Sequence, residues 1–191
     1  MEYILLLTAC INPDGMPFTC LADVGVRKKQ YIEALNFYLK NTTRKIVFVE
    51  NSGTDISSSF KDFQHRIEFL CFDGNLCFDK RKGKGYGEAL ILEYAMAKSE
   101  FITDDVLIFK LTGRLQLINI NRLIHYMDKL SPSKNFVCVV PPQNNSVDSR
   151  CFVCNKYYLE NIFLKDKFHI DDSVGYYFCL LYTSDAADDG E

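Results

Sequence analysis

Apolar residues in this chain come either in short unbroken runs or in stripes of helical spacing, and the two kinds alternate. Tyr3 to Cys10 (YILLLTAC) is a continuous apolar run of strand length, which suits a strand covered on both faces. It stops at Asn12-Pro13-Asp14-Gly15, a dense turn signal. Cys20 to Val26 reads as loop, and Arg27 to Lys40 follows with Tyr31, Ala34, Leu35, Tyr38 and Leu39 at the i, i+3, i+4, i+7, i+8 spacing of an amphipathic helix. Lys45 to Glu50 (KIVFVE) is a second buried strand with Asn51-Ser52-Gly53 directly after it. Strand, helix, strand in this order predicts a parallel pair.

The alternation continues. Asp55 to Phe63 reads as a short polar helix, Ile67 to Cys71 as a strand, Glu88 to Lys98 as a helix and Val106 to Leu111 as a core strand. Asn119 to Leu130 carries a helical stripe of Ile120, Leu123, Ile124, Met127 and Leu130, and Phe136 to Val140 is a strand ended by Pro141-Pro142. The fold class predicted is α/β, a mostly parallel central sheet flanked by helices.

Open α/β sheets bind ligands outside the carboxyl ends of their strands. Thr8, Ala9, Asn12 and Pro13 after the first strand, and Glu50, Asn51 and Ser52 after the second, are therefore candidates for a nucleotide pocket. Each group serves equally as a strand-ending turn. Arg27, at the expected start of its helix, opposes the helix dipole and so is a candidate to face an anion. Between Lys82 and Arg114 the chain opens with KGKGYGE and closes with KLTGR. Gly83, Gly85 and Gly87 permit close backbone approach, and Lys82, Lys84, Lys110 and Arg114 bring positive charge, a combination suited to phosphate. Glu88 falls in the first turn of its expected helix, where a structural role competes with a sugar contact. Lys110, at the carboxyl end of a core strand, requires solvent or an anionic partner.

Composition changes the picture little, with 48% hydrophobic and 25% charged residues over 191 positions. The sequence does change character at Cys179. From there CLLYTSDAADDGE resembles the translation of a sequencing adapter, so the expectation is a single domain over residues 1–178, with its C-terminal end missing, followed by a non-native tail over 179–191. Without the four acids Asp185, Asp188, Asp189 and Glu191 the formal charge moves from −3 to +1. Neither value suits a nucleic-acid partner. Seven cysteines outside the tail, without a disulfide framework, point to a reducing cytoplasm. Cys151 and Cys154 form a lone CxxC, short of a zinc site, and His65 and His125 fit no ligand pattern. The first apolar run is too short to span a bilayer and lacks a basic lead, so neither a transmembrane segment nor a signal peptide is expected.

LLLTACINP (5–13), VFVENSG (47–53), KGKGYGE (82–88) and FKLTGR (109–114), in that order, resemble bacterial glycosyltransferases of the GT-A type that build surface polysaccharide or lipopolysaccharide. The resemblance covers nearly all of residues 3–178. It implies a nucleotide-diphosphosugar donor, a glycan or lipid-linked glycan acceptor, and a cytoplasmic enzyme, peripheral to the inner membrane in its full-length form. Carried over by position, Thr8, Ala9 and Asn12 line the nucleoside, Glu50 and Asn51 meet base or ribose, and Gly85 and Glu88 approach the diphosphosugar. Lys110 and Arg114 neutralise the phosphates of the leaving nucleotide, with Thr112 and Gly113 shaping the turn between them. The Asp-x-Asp metal motif of many such enzymes is replaced here by KLTGR, so fixed cations stand where Mg²⁺ or Mn²⁺ would act. The candidate bases for the acceptor hydroxyl are Asp148 and Asp172. Two alternatives stay open: a sugar nucleotidyltransferase, and a nucleotide-sugar-binding domain without turnover.

Overall fold

The computed structural model describes residues 2–16, 19–76, 79–129, 136–138 and 149–169. Six strands form one sheet: β1 (Glu2–Ala9), β2 (Lys45–Glu50), β3 (Ile67–Cys71), β4 (Val106–Thr112), β5 (Phe136–Cys138) and β6 (Cys151–Asn155), in the order β3-β2-β1-β4-β6-β5. The first four are parallel, and β6 runs antiparallel to both β4 and β5. The chain steps outward from β1 through β2 to β3, then returns to place β4 on the other side of β1. The strand order reverses there, and a crevice lies outside the carboxyl ends of β1 and β4.

Both faces of the sheet are covered, which is why β1 reads as an unbroken apolar run. Tyr3, Leu5 and Leu7 join Ile46 and Phe48 of β2 and Phe109 and Leu111 of β4 in one core. Against it pack Tyr31, Ala34, Leu35 and Tyr38 of α1 (Val24–Asn41) and Ile120, Ile124 and Met127 of α3 (Ile120–Met127). Ile4 and Leu6 join Val47, Val49, Val106 and Ile108 in the other, against Ala89, Leu92, Ala95 and Met96 of α2 (Gly83–Lys98). Strand parity thus assigns every even residue of β1 and β4 to the α2 side.

Two expected boundaries are corrected, and one strand is added. α1 begins at Val24, three residues before Arg27, because Asp23 caps it: Asp23 Oδ1 accepts from the Val26 N–H at 2.7 Å. KGKGYGE is not a loop before a helix; from Gly83 it forms the first turns of α2, entered through a left-handed Gly83 (φ 81°). Glu88 consequently lies in the second turn, not the first. The lone CxxC turns out to sit in β6, a strand the periodicity had not indicated. Neither Cys151 nor Cys154 is in a disulfide among the described residues, and burial pushes the Cys154 thiol up to about 12.

At the crevice β1 and β4 stay joined beyond their last ladder pair, because the Gly113 N–H donates to the Thr8 carbonyl at 2.9 Å. A Cβ at Gly113 would stand 2.7 Å from that same carbonyl oxygen and 3.2 Å from the Tyr31 ring. Gly113→Ala should therefore destabilise the protein by about 1–3 kcal/mol, the range for overpacking a tight contact. A lowered urea midpoint at unchanged m value is the expected result, and an unchanged midpoint would show that the two strands can part at no cost.

Candidate functional site

The crevice is a cleft walled by the carboxyl ends of β1, β2 and β4 and by the first turns of α1 and α2. Thr8, Ala9 and Cys10 form its β1 side, Asn51 comes from beyond β2, and Thr112 and Arg114 from the end of β4. Lys84, Gly87 and Glu88 of α2 and Arg27 and Tyr31 of α1 complete the wall. Thr8, Ala9, Arg27, Asn51, Lys84, Glu88, Thr112 and Arg114 are thereby brought together from five separated stretches of sequence.

Beneath the wall, buried polar groups fix the loops. The Glu50 side chain is 1% exposed and accepts from the N–H groups of Ile11 (2.8 Å), Ser52 (2.9 Å) and Thr54 (2.8 Å), and from the Ser52 hydroxyl. Ser52 Oγ in turn accepts from the Asn12 N–H at 2.9 Å. One carboxylate therefore satisfies donors of the loops after both β1 and β2, which would otherwise be buried at a cost. The expectation that Glu50 meets a base or ribose is corrected: its oxygens face inward, and neither Glu50, Ser52 nor Asn12 is part of the cleft wall.

Arg27 is corrected similarly. It lines the cleft but is 6% exposed and spends its guanidinium on backbone: Nε and Nη2 donate to the Cys10 carbonyl at 2.9 and 2.7 Å, and Nη1 to the Leu21 carbonyl at 3.0 Å. The Tyr31 hydroxyl accepts from the Cys10 N–H at 2.9 Å. Two turns of α1 thus clamp the residue at which β1 opens into its loop. Burial pushes the Cys10 thiol up to about 11; the Arg27 guanidinium opposes this and the Glu50 carboxylate adds to it. At neutral pH Cys10 is a protonated wall residue and not a nucleophile.

Lys110 departs furthest from expectation. It faces the α2 side by strand parity, is 0% exposed, and is absent from the cleft wall. Its Nζ lies 2.5 Å from Glu88 Oε1 and donates to the Ser149 carbonyl at 2.6 Å, with the Phe152 ring centroid 5.6 Å away. Thr8 Oγ1 donates to the same Glu88 oxygen at 2.8 Å. The lysine found its anionic partner inside the protein, so it is unavailable to a leaving phosphate. Gly85 is buried within α2 and also lies off the wall. Gly113 makes the strand junction described above, and a turn at Thr112 and Gly113, closed by the Leu115 N–H on the Thr112 carbonyl (3.0 Å), leads to Arg114. Arg114 Nη1 donates to Gln30 Oε1 at 3.1 Å, which steadies it at the cleft edge.

Asp148 and Asp172 lie outside the described residues, as does the 179–191 tail. Among the described residues no group of three His, Cys, Asp or Glu side chains is placed to hold a metal ion. None of their helices is long and apolar enough to cross a membrane.

No family model matches the chain, and no curated protein matches it. Among solved structures it is similar to a cytidylyltransferase from Leptospira borgpetersenii serovar Hardjo-bovis, with a TM-score of 0.50 and 13% identity over 97% of this chain and 74% of that one. It is also similar to a 4-diphosphocytidyl-2C-methyl-D-erythritol synthase, with a TM-score of 0.40 and 10% identity over 89% of this chain and 87% of that one. The shared α/β, Rossmann-like fold is what the first likeness shows. The expected glycosyl transfer to a glycan acceptor is overturned by the first of these likenesses, which is to a protein named a cytidylyltransferase, and the burial of Lys110 removes the part given to it.

Breaking the buried pair should be costly in a way that removing it whole is not. Lys110→Met strands the Glu88 carboxylate and should destabilise the fold by about 3–5 kcal/mol, whereas Lys110→Met with Glu88→Met should recover most of the loss. Additive losses in denaturant titrations would contradict the coupling. The thiol shift gives a pH test. Below pH 9 Cys10 is protonated whether folded or unfolded; between about 9 and 11 the unfolded chain releases that proton while the folded one keeps it. Stability should fall across that window, and Cys10→Ala should fall less steeply in urea titrations at matched pH.

Proposed function

We propose that the chain is a nucleotidyltransferase, joining a nucleoside monophosphate unit from a nucleoside triphosphate to a phosphorylated sugar or related polyol phosphate. The observation that carries this reading is the charge inventory of the cleft. Lys84 and Arg114 bring cationic side chains to a wall whose one carboxylate, Glu88, is tied through Oε1 to Lys110 and Thr8. Such a wall suits phosphate on both reactants and, among the described residues, offers no carboxylate free of a lysine to deprotonate a sugar hydroxyl.

In the reaction an oxygen of the acceptor phosphate forms a bond to the α-phosphorus. The bond from that phosphorus to the bridging oxygen breaks, and pyrophosphate leaves with the electron pair. The attacking oxygen is already ionised near neutral pH, so no general base is required. Negative charge accumulates on the α-phosphoryl and the leaving group, where fixed cations stabilise it. Lys84, in the first turn of α2, is assigned to the leaving pyrophosphate together with the positive end of that helix. Arg114, beyond β4, is assigned to the acceptor phosphate, which a guanidinium can grip with two donors. Thr8, Ala9 and Cys10 shape the wall beside the nucleoside. A divalent ion enters, where required, as part of the nucleoside triphosphate substrate. The fold likeness to a cytidylyltransferase supports the same reading and makes CTP the first triphosphate to try.

The test is calorimetric binding of CTP, UTP, ATP and GTP with Mg²⁺, followed by pyrophosphate release in the presence of sugar 1-phosphates. One triphosphate should bind, and Lys84→Ala and Arg114→Ala should each weaken binding or turnover about 10- to 100-fold, the worth of a hydrogen bond to a charged group. Binding without pyrophosphate release under any acceptor would reduce the protein to a nucleotide-binding domain. Absence of binding by all four would end the reading.

A further inference from the structure

Among the described residues, the buried side-chain oxygens that find no hydrogen-bond partner are Asn51 Oδ1, Glu88 Oε2 and Thr112 Oγ1. All three belong to residues lining the cleft, although Asn51 and Glu88 are only 6% and 2% exposed. The three residues are also linked to the end of β1, one from β4, one from α2 and one from the loop after β2. Thr112 is paired with Thr8 across the β1–β4 ladder, and Glu88 accepts from the Thr8 hydroxyl. The Asn51 N–H donates to the carbonyl of Ala9, the next residue along β1. Strand parity sends Thr8 and Thr112 to the side of the sheet that α2 covers, the side Glu88 approaches from above. The α2 side of the cleft floor therefore gathers buried oxygen atoms around the end of β1.

Buried acceptors of this kind are matched by donors in nearly all folded proteins. The Lys110 ammonium already holds Glu88 Oε1, so a second cation is not called for at Oε2. Neutral O–H groups fit, and more than one is needed: one hydroxyl can donate to the Glu88 carboxylate oxygen and a second to the Asn51 amide oxygen, while either accepts from the Thr112 hydroxyl. We infer that Asn51, Glu88 and Thr112 form a hydroxyl-reading subsite for a sugar ring carrying adjacent hydroxyl groups. This deepens the nucleotidyltransferase reading and rests on it. Such a ring has two sources there, the ribose of the nucleotide and the sugar of the phosphorylated acceptor. The subsite makes its residues specificity-determining, because a ring lacking a hydroxyl leaves buried oxygens unmatched.

The full chain should be titrated calorimetrically with each ribonucleoside triphosphate and with its 2′-deoxy and 2′,3′-dideoxy forms. A second series uses glucose 1-phosphate, 2-deoxyglucose 1-phosphate and ribose 5-phosphate. Loss of a hydroxyl should weaken binding at least about tenfold in one series, and that series names the ring that occupies the subsite. In Thr112→Val and Asn51→Ala the preference for the hydroxylated ligand should shrink towards unity while the unmodified phosphates still bind, a change that a merely structural role would not produce. The comparison of ligands on the unaltered protein stands even if a variant fails to fold. Ligands that bind equally with and without their hydroxyls in both series overturn the subsite and leave the phosphate reading intact. Failure of every nucleotide and sugar phosphate to bind overturns both.

Discussion

A lysine with no exposed surface is the constraint around which the cleft is arranged. Lys110 enters the interior because it is an even-numbered residue of β4, on the side of the sheet that α2 covers, and an unpaired ammonium there would be intolerable. Glu88 is the group that resolves it, at 2.5 Å, and the Ser149 carbonyl takes another of its protons. Both partners are fixed by that requirement. α2 must seat its second turn over the β1–β4 junction, and the chain entering β6 must bring Ser149 to the same point. Thr8 then completes the set by donating to Glu88, so β1, β4 and α2 meet at one carboxylate. In return, the first turn of α2, with Lys84, is held at the mouth of the crevice.

Glu50 and Arg27 solve the same problem for the loops. Strands that end in a ligand crevice leave backbone groups without ladder partners, and a crevice shaped to exclude water cannot hydrate them. Glu50 accepts from N–H groups of both the β1 and the β2 loop, and Arg27 donates to two carbonyls of the β1 side. Charge is used here as a rigid multi-valent hydrogen-bonding device. A neutral glutamine in place of Glu50 would convert one acceptor oxygen into a donor facing N–H groups.

The architecture was legible in the sequence because it depends on periodicity. The run from Tyr3 to Cys10 is apolar at both parities, which identifies a strand covered on two faces, and the stripe from Tyr31 to Leu39 identifies the helix that covers one of them. Much of the cleft was legible as well, since Thr8, Ala9, Asn51, Lys84 and Arg114 stand at strand ends or beside glycines. What the sequence could not convey was the direction in which the charged residues point. Lys110, Glu50 and Arg27 carry the residue types of ligand contacts, and the structure turns each of them inward. Parity would have placed Lys110 under α2, yet choosing Glu88 over Glu93 as its partner requires the helix start. The glycines hid that start: KGKGYGE looks like a loop because glycine weakens helices, and tertiary packing against the sheet overrides that preference. β6 was missed because it lies beyond the proline pair in a stretch with no alternation to mark it.

The inward turn of those charges also bears on chemistry. Glycosyl transfer to a hydroxyl acceptor asks for a base, and among the described residues the carboxylate that lines the cleft, Glu88, is committed to a lysine and a threonine through Oε1. Transfer between phosphates asks only for cations and a shaped nucleoside wall. Lys84 and Arg114 reach the crevice wall from two different elements, one in the first turn of α2 and one beyond β4. With Lys110 withdrawn into the interior and Arg27 spent on backbone carbonyls, Lys84 and Arg114 are the cleft-wall cations, among the described residues, to which the proposed transfer between phosphates assigns its two reactants.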